Sequence, residues 1–285
     1  KFALFGVAGL IALFAILLAV VAFTVDPNAF KTQIVKLVQE KKQRTLTIDG
    51  DIKLKLFPKL GVDLGKSWLS EHKSTQEFAA LESVKLFVAW LPLLKNELVV
   101  DKISVEGVRA NLIRYADGST NIDDLLSKEE SKQVIFDVKD MKIKHGTLSF
   151  DDCMAKRKLS IVEFEMESGR LKDNTHTDIE LDFKVTGDNP NIAAHVIVKS
   201  GLLFALEEKH YTLDDLKLKL TGEAVGIKNL ELSAQGDIDA QLKAQAFSLK
   251  KVKLDLKGNR AADKLDLSLN APKLILTESK AEESK

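Results

Sequence analysis

The sequence predicts a mainly β protein, in which a transmembrane helix and an amphipathic helix precede a long, curled antiparallel sheet. Two changes in the pattern of apolar residues carry this prediction. A long uncharged run at the N-terminus gives way to helical spacing, and from Arg44 onward the spacing becomes strict alternation. About fourteen strand-like segments follow. At roughly 4.8 Å per strand they would form a sheet about 65 Å across, which has to curl.

The N-terminal segment, residues 1–25, is the predicted membrane anchor. Its apolar side chains include Phe2, Leu10, Phe14, Leu18 and Phe23. The 24 uncharged residues from Phe2 to Val25 would cover about 36 Å as a helix, against about 30 Å of bilayer hydrocarbon. The alternative is a cleaved signal peptide, although its apolar core is usually only about 7 to 15 residues long. The lysines that follow the run leave the orientation open.

Residues 26–43 form the predicted amphipathic helix. Asp26-Pro27 is typical of a helix start. The apolar residues at helical spacing are Phe30, Ile34, Leu37 and Val38, with lysines between them. Two roles fit this pattern: a lid packed on the end of the sheet, or a helix lying at the membrane surface.

The predicted strands alternate apolar with charged or polar residues, so one face of the sheet is apolar and the other solvated. The residues predicted to line an apolar groove are Ile48, Ile52, Leu54, Leu56, Val62, Leu64, Val84, Leu86, Val88, Val162, Phe164, Leu181, Phe183, Leu218 and Leu254. An ordinary sandwich, with two apolar faces packed on each other, shows the same alternation. Little helical cover is predicted in the second half, where only 125–130 and 202–208 have a brief helical pattern.

The search for catalytic chemistry points away from an enzyme. The five histidines are scattered singly, and the single cysteine, Cys153, supports neither a disulfide framework nor a Cys-rich metal site. No phosphate-binding loop or nucleophile motif is present, so no cofactor is expected. The acidic doublets at 123–124, 151–152 and 214–215 are interpreted as turn and strand-end residues. The chain has 42 lysine and arginine residues and 42 aspartate and glutamate residues, so its formal net charge is zero. Because no overall positive charge would attract nucleic acid, nucleic acid is not an expected partner.

Several motifs in a fixed order resemble the AsmA family of bacterial envelope proteins. They are Asp26-Pro27-Asn28 with Phe30-Lys31, Ile48-Asp49-Gly50-Asp51-Ile52, Phe57-Pro58-Lys59-Leu60-Gly61-Val62, Leu91-Pro92-Leu93-Leu94, Val100-Asp101-Lys102-Ile103, Val105-Glu106-Gly107-Val108 and Asp117 through Leu125. The resemblance covers roughly residues 1–128. It departs at Lys42-Gln43-Arg44, where the family often has Thr-Gly-Arg.

The resemblance implies a single-pass inner-membrane protein with a periplasmic half-pipe that contains a chorein-like part at 44–128 and a repeating β-meander at 129–276. The polar tail, 277–285, indicates that the chain is truncated. The implied function is phospholipid binding and conduction between the inner and outer membranes, which supports outer-membrane homeostasis. Membrane lipids are the expected partners, with other envelope proteins at either membrane. The alternative is an interaction protein that assists outer-membrane protein assembly through a closed β-sandwich.

Overall fold

The computed structural model describes residues 28–55, 60–89, 100–126 and 137–277. Helix α1 is Ala29–Lys42 and helix α2 is Asp123–Leu126. The strands of the first part are β1 Leu46–Ile48, β2 Lys53–Lys55, β3 Leu60–Leu64, β4 Ser67–Ser70, β5 Glu77–Leu81, β6 Ser83–Val88, β7 Val100–Glu106, β8 Arg109–Arg114 and β9 Asp137–Val138. Those of the second part are β10 Met141–Asp152, β11 Arg157–Ser168, β12 Leu171–Lys172, β13 Thr177–Asp188, β14 Asn191–Ala205, β15 His210–Ala224, β16 Ile227–Gln241, β17 Ala246–Arg260 and β18 Asp263–Thr277.

The first eight strands act as four long strands, each broken once. β3 pairs with β6 while β4 pairs with β5, and β6 pairs with β7 while β5 pairs with β8. The breaks fall at Gly50, Gly65, Glu82 and Gly107, and they lie beside one another. Gly50 and Gly107 have φ of +75° and +62°, a region in which a Cβ is costly. Gly50 and Gly107 therefore mark bends.

Strand β10 joins the two predicted parts of the sheet. It runs parallel to both β7 and β8, and it pairs antiparallel with β11 on its other side. From β11 to β18 the strands form an antiparallel meander, except that the two-residue β12 pairs with β9 and β11 pairs directly with β13. The eighteen strands thus belong to one unclosed sheet, so the prediction of a mainly β protein with a long, largely antiparallel sheet is confirmed. The boundary predicted at 128–129 does not separate two sheets.

The meander from β14 to β18 is a structural repeat whose period the sequence pattern alone did not reveal. Each of these five strands has 15 residues. Strands β14, β16 and β18 begin at residues 191, 227 and 263, which are 36 residues apart. The bulge residues Asp215 in β15 and Lys251 in β17 have the same spacing, with φ of +50° and +52°. One hairpin is therefore the building unit of this part.

One of the two helical patterns predicted in the second half is wrong. Residues 202–205 end strand β14 and 206–209 form the turn to β15, so no helix occurs at 202–208. In the other segment, residues 125 and 126 belong to α2, and 127–130 lie outside the described residues. Alternating apolar and polar positions in the sheet context outweigh a brief run of helix-forming residues.

Candidate functional site

One transverse row of side chains defines the apolar face of the sheet. Strand pairing places eleven apolar residues directly opposite one another, each on a different strand. From one end to the other, this central row is Leu64, Val84, Val105, Ile143, Met166, Leu181, Val198, Leu218, Ala234, Leu254 and Leu269. Residues opposite one another in paired strands point to the same face. At about 4.8 Å per strand the row spans about 48 Å.

Most of the predicted lining residues that the structure describes lie on this apolar face. In the central row are Leu64, Val84, Leu181, Leu218 and Leu254. One row to one side are Leu54, Val62 and Leu86, and Val88 lies a further row away. On the other side the rings of Phe164 and Phe183 lie 6.1 Å apart. Leu56 lies outside the described residues. That these side chains contact a ligand stays a prediction.

Val162 is an exception, and its predicted placement is wrong. The sequence put it on the same face as Phe164, but Val162 pairs with Lys184 on the charged face. The cause is a bulge at Glu163, whose φ is +52°. A bulge adds one residue to a strand and thereby shifts the in-and-out alternation by one position. The sequence contains no glycine or proline at this point that would signal the bulge.

The apolar face is open along much of its length. Leu267 and Leu269 on β18 are 56% and 52% exposed, and Phe247 on β17 is 41% exposed. The central-row residues from β3 to β17 are half-buried, not buried. A second sheet packed on this face at about 10 Å would remove such side chains from water. Among the described residues, the face therefore presents a long apolar surface rather than the inside of a sandwich.

The opposite face carries pairs of oppositely charged or hydrogen-bonded side chains on neighbouring strands. Lys199 Nζ lies 2.7 Å from Glu180 Oε1, and Lys142 Nζ lies 2.8 Å from Glu167 Oε1. His195 Nε2 lies 2.6 Å from Asp182 Oδ1. These side chains are about one third to more than half exposed, so each pair contributes little to stability. The charged side chains keep this face solvated. The apolar face is therefore the one available to an apolar ligand.

Two of the predicted lining residues, Ile48 and Ile52, are packed where helix α1 crosses the first strands. They are 6% and 8% exposed. The backbone N–H of Ile52 donates to Asn28 Oδ1 at 2.8 Å, and Lys31 Nζ donates to the Gly50 carbonyl at 3.0 Å. These contacts fix the helix against β1. Ile48 and Ile52 thus belong to the protein core at this end, and the apolar surface available to a ligand begins beyond them.

Helix α1 has features of both predicted roles. Val35 and Val38 are half-buried on the side that packs on the sheet, as a lid requires. Ile34 and Leu37, next to Val38 on the helix surface, are 42% and 57% exposed, and a membrane-surface helix would place apolar residues in such exposed positions. The side chain of Phe30 is outside the described residues, as are Asp26 and Pro27. The surface role stays a prediction.

The most deeply buried charge in this region is Arg44, for which the sequence pattern predicted no structural role. Its side chain is 0% exposed. Nε and Nη2 each donate to the Asp124 carboxylate at 2.7 Å, and Nη1 donates to the Ser70 carbonyl at 2.8 Å. The guanidinium also lies 4.8 Å from the centre of the Phe78 ring, a cation–π contact. Arg44 thus ties α2 to β1, β4 and β5.

The acidic doublets have structural partners. Hydrogen bonds from Arg44 hold the pKa of Asp124 below its usual value, with the nearby positive charges of Arg44 and His72 adding to the effect. Asp123 accepts hydrogen bonds from the backbone N–H and the hydroxyl of Thr120, which caps α2. Asp215 lies at a bulge within β15 rather than at a strand end as expected. Within the described residues, no cluster of three potential metal ligands occurs.

The predicted anchor, with Phe2, Leu10, Phe14, Leu18 and Phe23, lies outside the described residues. In the segments that are described, no helix is both long and apolar enough to cross a membrane.

Comparison with known proteins identifies the family. The sequence profile of the AsmA family matches residues 1–283, nearly the whole chain. The chain is also similar to Protein AsmA of Escherichia coli (strain K12), with 27% identity over 144 residues. That match covers 47% of this chain and 23% of the E. coli protein, so the similarity reaches only part of that relative. No solved structure matches the chain. Because the family profile spans the sheet and the segment before it, the chain belongs to the AsmA family.

Proposed function

We propose that this protein binds phospholipid on its apolar face and conducts it between the inner and outer membranes. In this proposal residues 1–25 anchor it in the inner membrane, the sheet lies in the periplasm, and its activity supports outer-membrane homeostasis. The observation that carries the proposal is the central row, in which eleven neighbouring strands each contribute one apolar side chain. Membership of a family of envelope proteins supports the location.

The energetic argument concerns acyl chains in water. Exposing an acyl chain costs about 0.8 kcal/mol per CH₂, so a sixteen-carbon chain faces about 12 kcal/mol on leaving a bilayer. A continuous row of Leu, Val, Ile and Met side chains offers each methylene an apolar neighbour along about 48 Å. Transfer along such a surface needs no covalent step, and we propose that the protein is not an enzyme. Such walls make no directional contacts, so selection among acyl chains is loose.

A closed sandwich that assists outer-membrane protein assembly fits the structure less well. That alternative requires the apolar face to be covered by another layer of the same chain. Leu267 and Leu269 are more than half exposed, and the sheet is unclosed. An interaction role would therefore have to use a surface other than a closed sandwich.

The test is photo-crosslinking from the two faces of one strand. A photoreactive phenylalanine derivative replaces Leu218 on the apolar face or, as the matched control, Lys219 on the charged face of the same strand. The full chain is produced in bacteria, irradiated in cells and purified in detergent, and crosslinked lipid is identified by mass spectrometry. Lipid adducts at position 218 and not at position 219 are expected. Equal adduct formation at both positions, or none at either, would count against the proposal.

A substitution pair tests the same surface without a probe. Leu218→Asp puts a charge in the central row, whereas Lys219→Asp puts the same charge on the solvated face. Co-purified phospholipid should fall in the first variant and stay at the parent level in the second. Far-ultraviolet circular dichroism and urea midpoints establish that both variants fold. Parent-level phospholipid in a folded Leu218→Asp variant would contradict lipid binding at this row.

A further inference from the structure

An ionic row borders the apolar face where three neighbouring strands end. Arg114 ends β8, Asp152 ends β10 and Arg157 begins β11. Strand pairing places Asp152 directly opposite both arginines. All three residues lie on the apolar face, because each is two residues beyond a member of the adjacent row formed by Leu112, Phe150 and Leu159.

The carboxylate of Asp152 orients both guanidinium groups. It is 0% exposed. Oδ2 accepts a hydrogen bond from Arg157 Nε at 3.2 Å and lies 3.8 Å from Arg114 Nη1. Oδ1 accepts from the backbone N–H of Ala155 at 2.9 Å. That backbone hydrogen bond, with the two arginines, lowers the pKa of Asp152, which therefore stays ionised at neutral pH.

The ionic row carries a net positive charge. One carboxylate faces two arginines, and within the described residues neither arginine lies within 4.0 Å of a second carboxylate. Asp151, the nearest acidic neighbour in sequence, faces the other way and pairs with Lys158 at 2.8 Å. The Arg114 and Arg157 side chains are 40% and 42% exposed, so part of each guanidinium remains accessible.

We propose that Arg114 and Arg157, held by Asp152, bind the phosphate diester of a phospholipid whose acyl chains lie on the apolar face. This proposal rests on the proposed function. Arginine pairs with phosphate oxygens through parallel N–H groups, which makes the contact both strong and directional. The next row lies two residues inward, about 6.6 Å away, and consists of Leu112, Phe150 and Leu159. That spacing matches a headgroup phosphate beside the start of its acyl chains.

The positive charges of Arg114 and Arg157 favour an anion-binding role for the ionic row over a purely structural role. A single arginine would neutralise Asp152. The second leaves one unit of positive charge at the margin of an apolar surface, where the partly exposed guanidinium groups are accessible to an anion. A phosphate diester carries one negative charge, so its binding neutralises the ionic row.

The test compares two amphiphiles that differ only in the phosphate-containing headgroup. Dihexanoylphosphatidylglycerol and dihexanoylglycerol are titrated, below their critical micelle concentrations, into the purified full chain and followed by calorimetry. Arg114→Gln should weaken binding of the phospholipid about tenfold, because it removes charge-assisted hydrogen bonds. Binding of the uncharged dihexanoylglycerol should change less than twofold. Arg109→Gln is the matched control, since Arg109 lies on the same strand but on the charged face, and it should leave both affinities unchanged.

Each outcome separates this proposal from the proposed function. If neither amphiphile binds the parent protein, the proposed function and this inference both fail. If both amphiphiles bind and Arg114→Gln changes neither affinity, lipid binding stands and the ionic row is not its headgroup site. If inorganic phosphate binds as tightly as the phospholipid, the row is a free-anion site and the inference is overturned.

A second variant covers the case in which Arg114→Gln does not fold. Arg114→Lys keeps the charge next to Asp152 but loses the paired N–H groups. It should weaken phospholipid binding without altering the urea midpoint appreciably. Parent-level phospholipid affinity in a folded Arg114→Lys protein would overturn the claim that the guanidinium recognises the phosphate.

Discussion

Arg44 and Asp124, eighty residues apart in the sequence, form a two-point pair in which Nε and Nη2 of the guanidinium each lie 2.7 Å from a carboxylate oxygen. Arg44 is fully buried, whereas the Asp124 side chain is 17% exposed. The pair connects the start of the sheet to the segment after β8. It thereby stabilises the N-terminal end of the sheet, next to helix α1.

Removing the charge of Asp124 should destabilise the protein strongly. Asp124→Asn removes the carboxylate that accepts two hydrogen bonds from the buried guanidinium of Arg44 and leaves Glu71, whose Oε2 lies 3.8 Å from Nη1, as the remaining counter-ion. Breaking a buried pair in this way costs about 3 kcal/mol. The free energy of unfolding in urea measures the loss. Lys36→Met is the control, because the pair between Lys36 and Glu40 is 74% and 64% exposed and should contribute less than about 0.5 kcal/mol. A loss in Asp124→Asn no larger than in the control would refute the role given to this pair.

Acid should weaken the fold through carboxylates whose pKa values are lowered. The pKa of Asp124 is lowered first by its hydrogen bond with Arg44, and that of Asp137 by its hydrogen bonds with Arg170. A carboxylate with a lowered folded pKa stabilises the protein above its unfolded pKa, about 3.9, and this stabilisation is lost as the pH falls through the folded value. These groups should therefore leave the urea midpoint nearly unchanged between pH 7 and pH 5. The midpoint should decrease as the pH is lowered below about 4.

The same pH series in Asp124→Asn isolates one contribution. The variant lacks the carboxylate at 124, so the decrease in its unfolding free energy between pH 5 and pH 3 should be smaller than in the parent. An identical decrease in both proteins would mean that Asp124 does not contribute to the acid sensitivity.

Gln43→Gly should stabilise the protein. Gln43 follows the last turn of α1 with φ of +52° and ψ of +36°, and its N–H donates to the Gln39 carbonyl at 3.0 Å. This left-handed conformation costs a non-glycine residue about 1 to 2 kcal/mol, part of which glycine loses again through its greater freedom when unfolded. A gain of about 0.5 to 1 kcal/mol in urea unfolding is expected. Gln43→Ala, which keeps a Cβ, is the control, and an equal effect in both variants would contradict the explanation.

Two glycines in and after β15 should differ in their tolerance of alanine. At Gly222, φ is +141° and a Cβ would lie 2.2 Å from the Ala193 carbonyl oxygen on the neighbouring strand. Gly222→Ala therefore forces the backbone apart and should cost about 3 kcal/mol. At Gly226, φ is +78° and nothing lies within 4 Å of the Cβ position, so Gly226→Ala should cost only about 1 kcal/mol. Thermal unfolding midpoints of the two variants, compared with the parent, give the order. The reverse order would be inconsistent with the strand spacing at Gly222.

The alternation along the chain specifies the class of structure and most of the residues that share a face. Alternation with a period of two specifies a strand with one apolar side, and eleven of the predicted lining residues, from Leu54 to Leu254, lie on that face. Two features of the structure could not be predicted from the sequence pattern. The bulge at Glu163, which turned Val162 to the charged face, depends on how two strands fit together and leaves no mark in composition. The pairs that join Arg44 to Asp124 and Arg114 to Arg157 through Asp152 form only when distant segments meet, because charge recognition depends on distance in space and not on spacing along the chain.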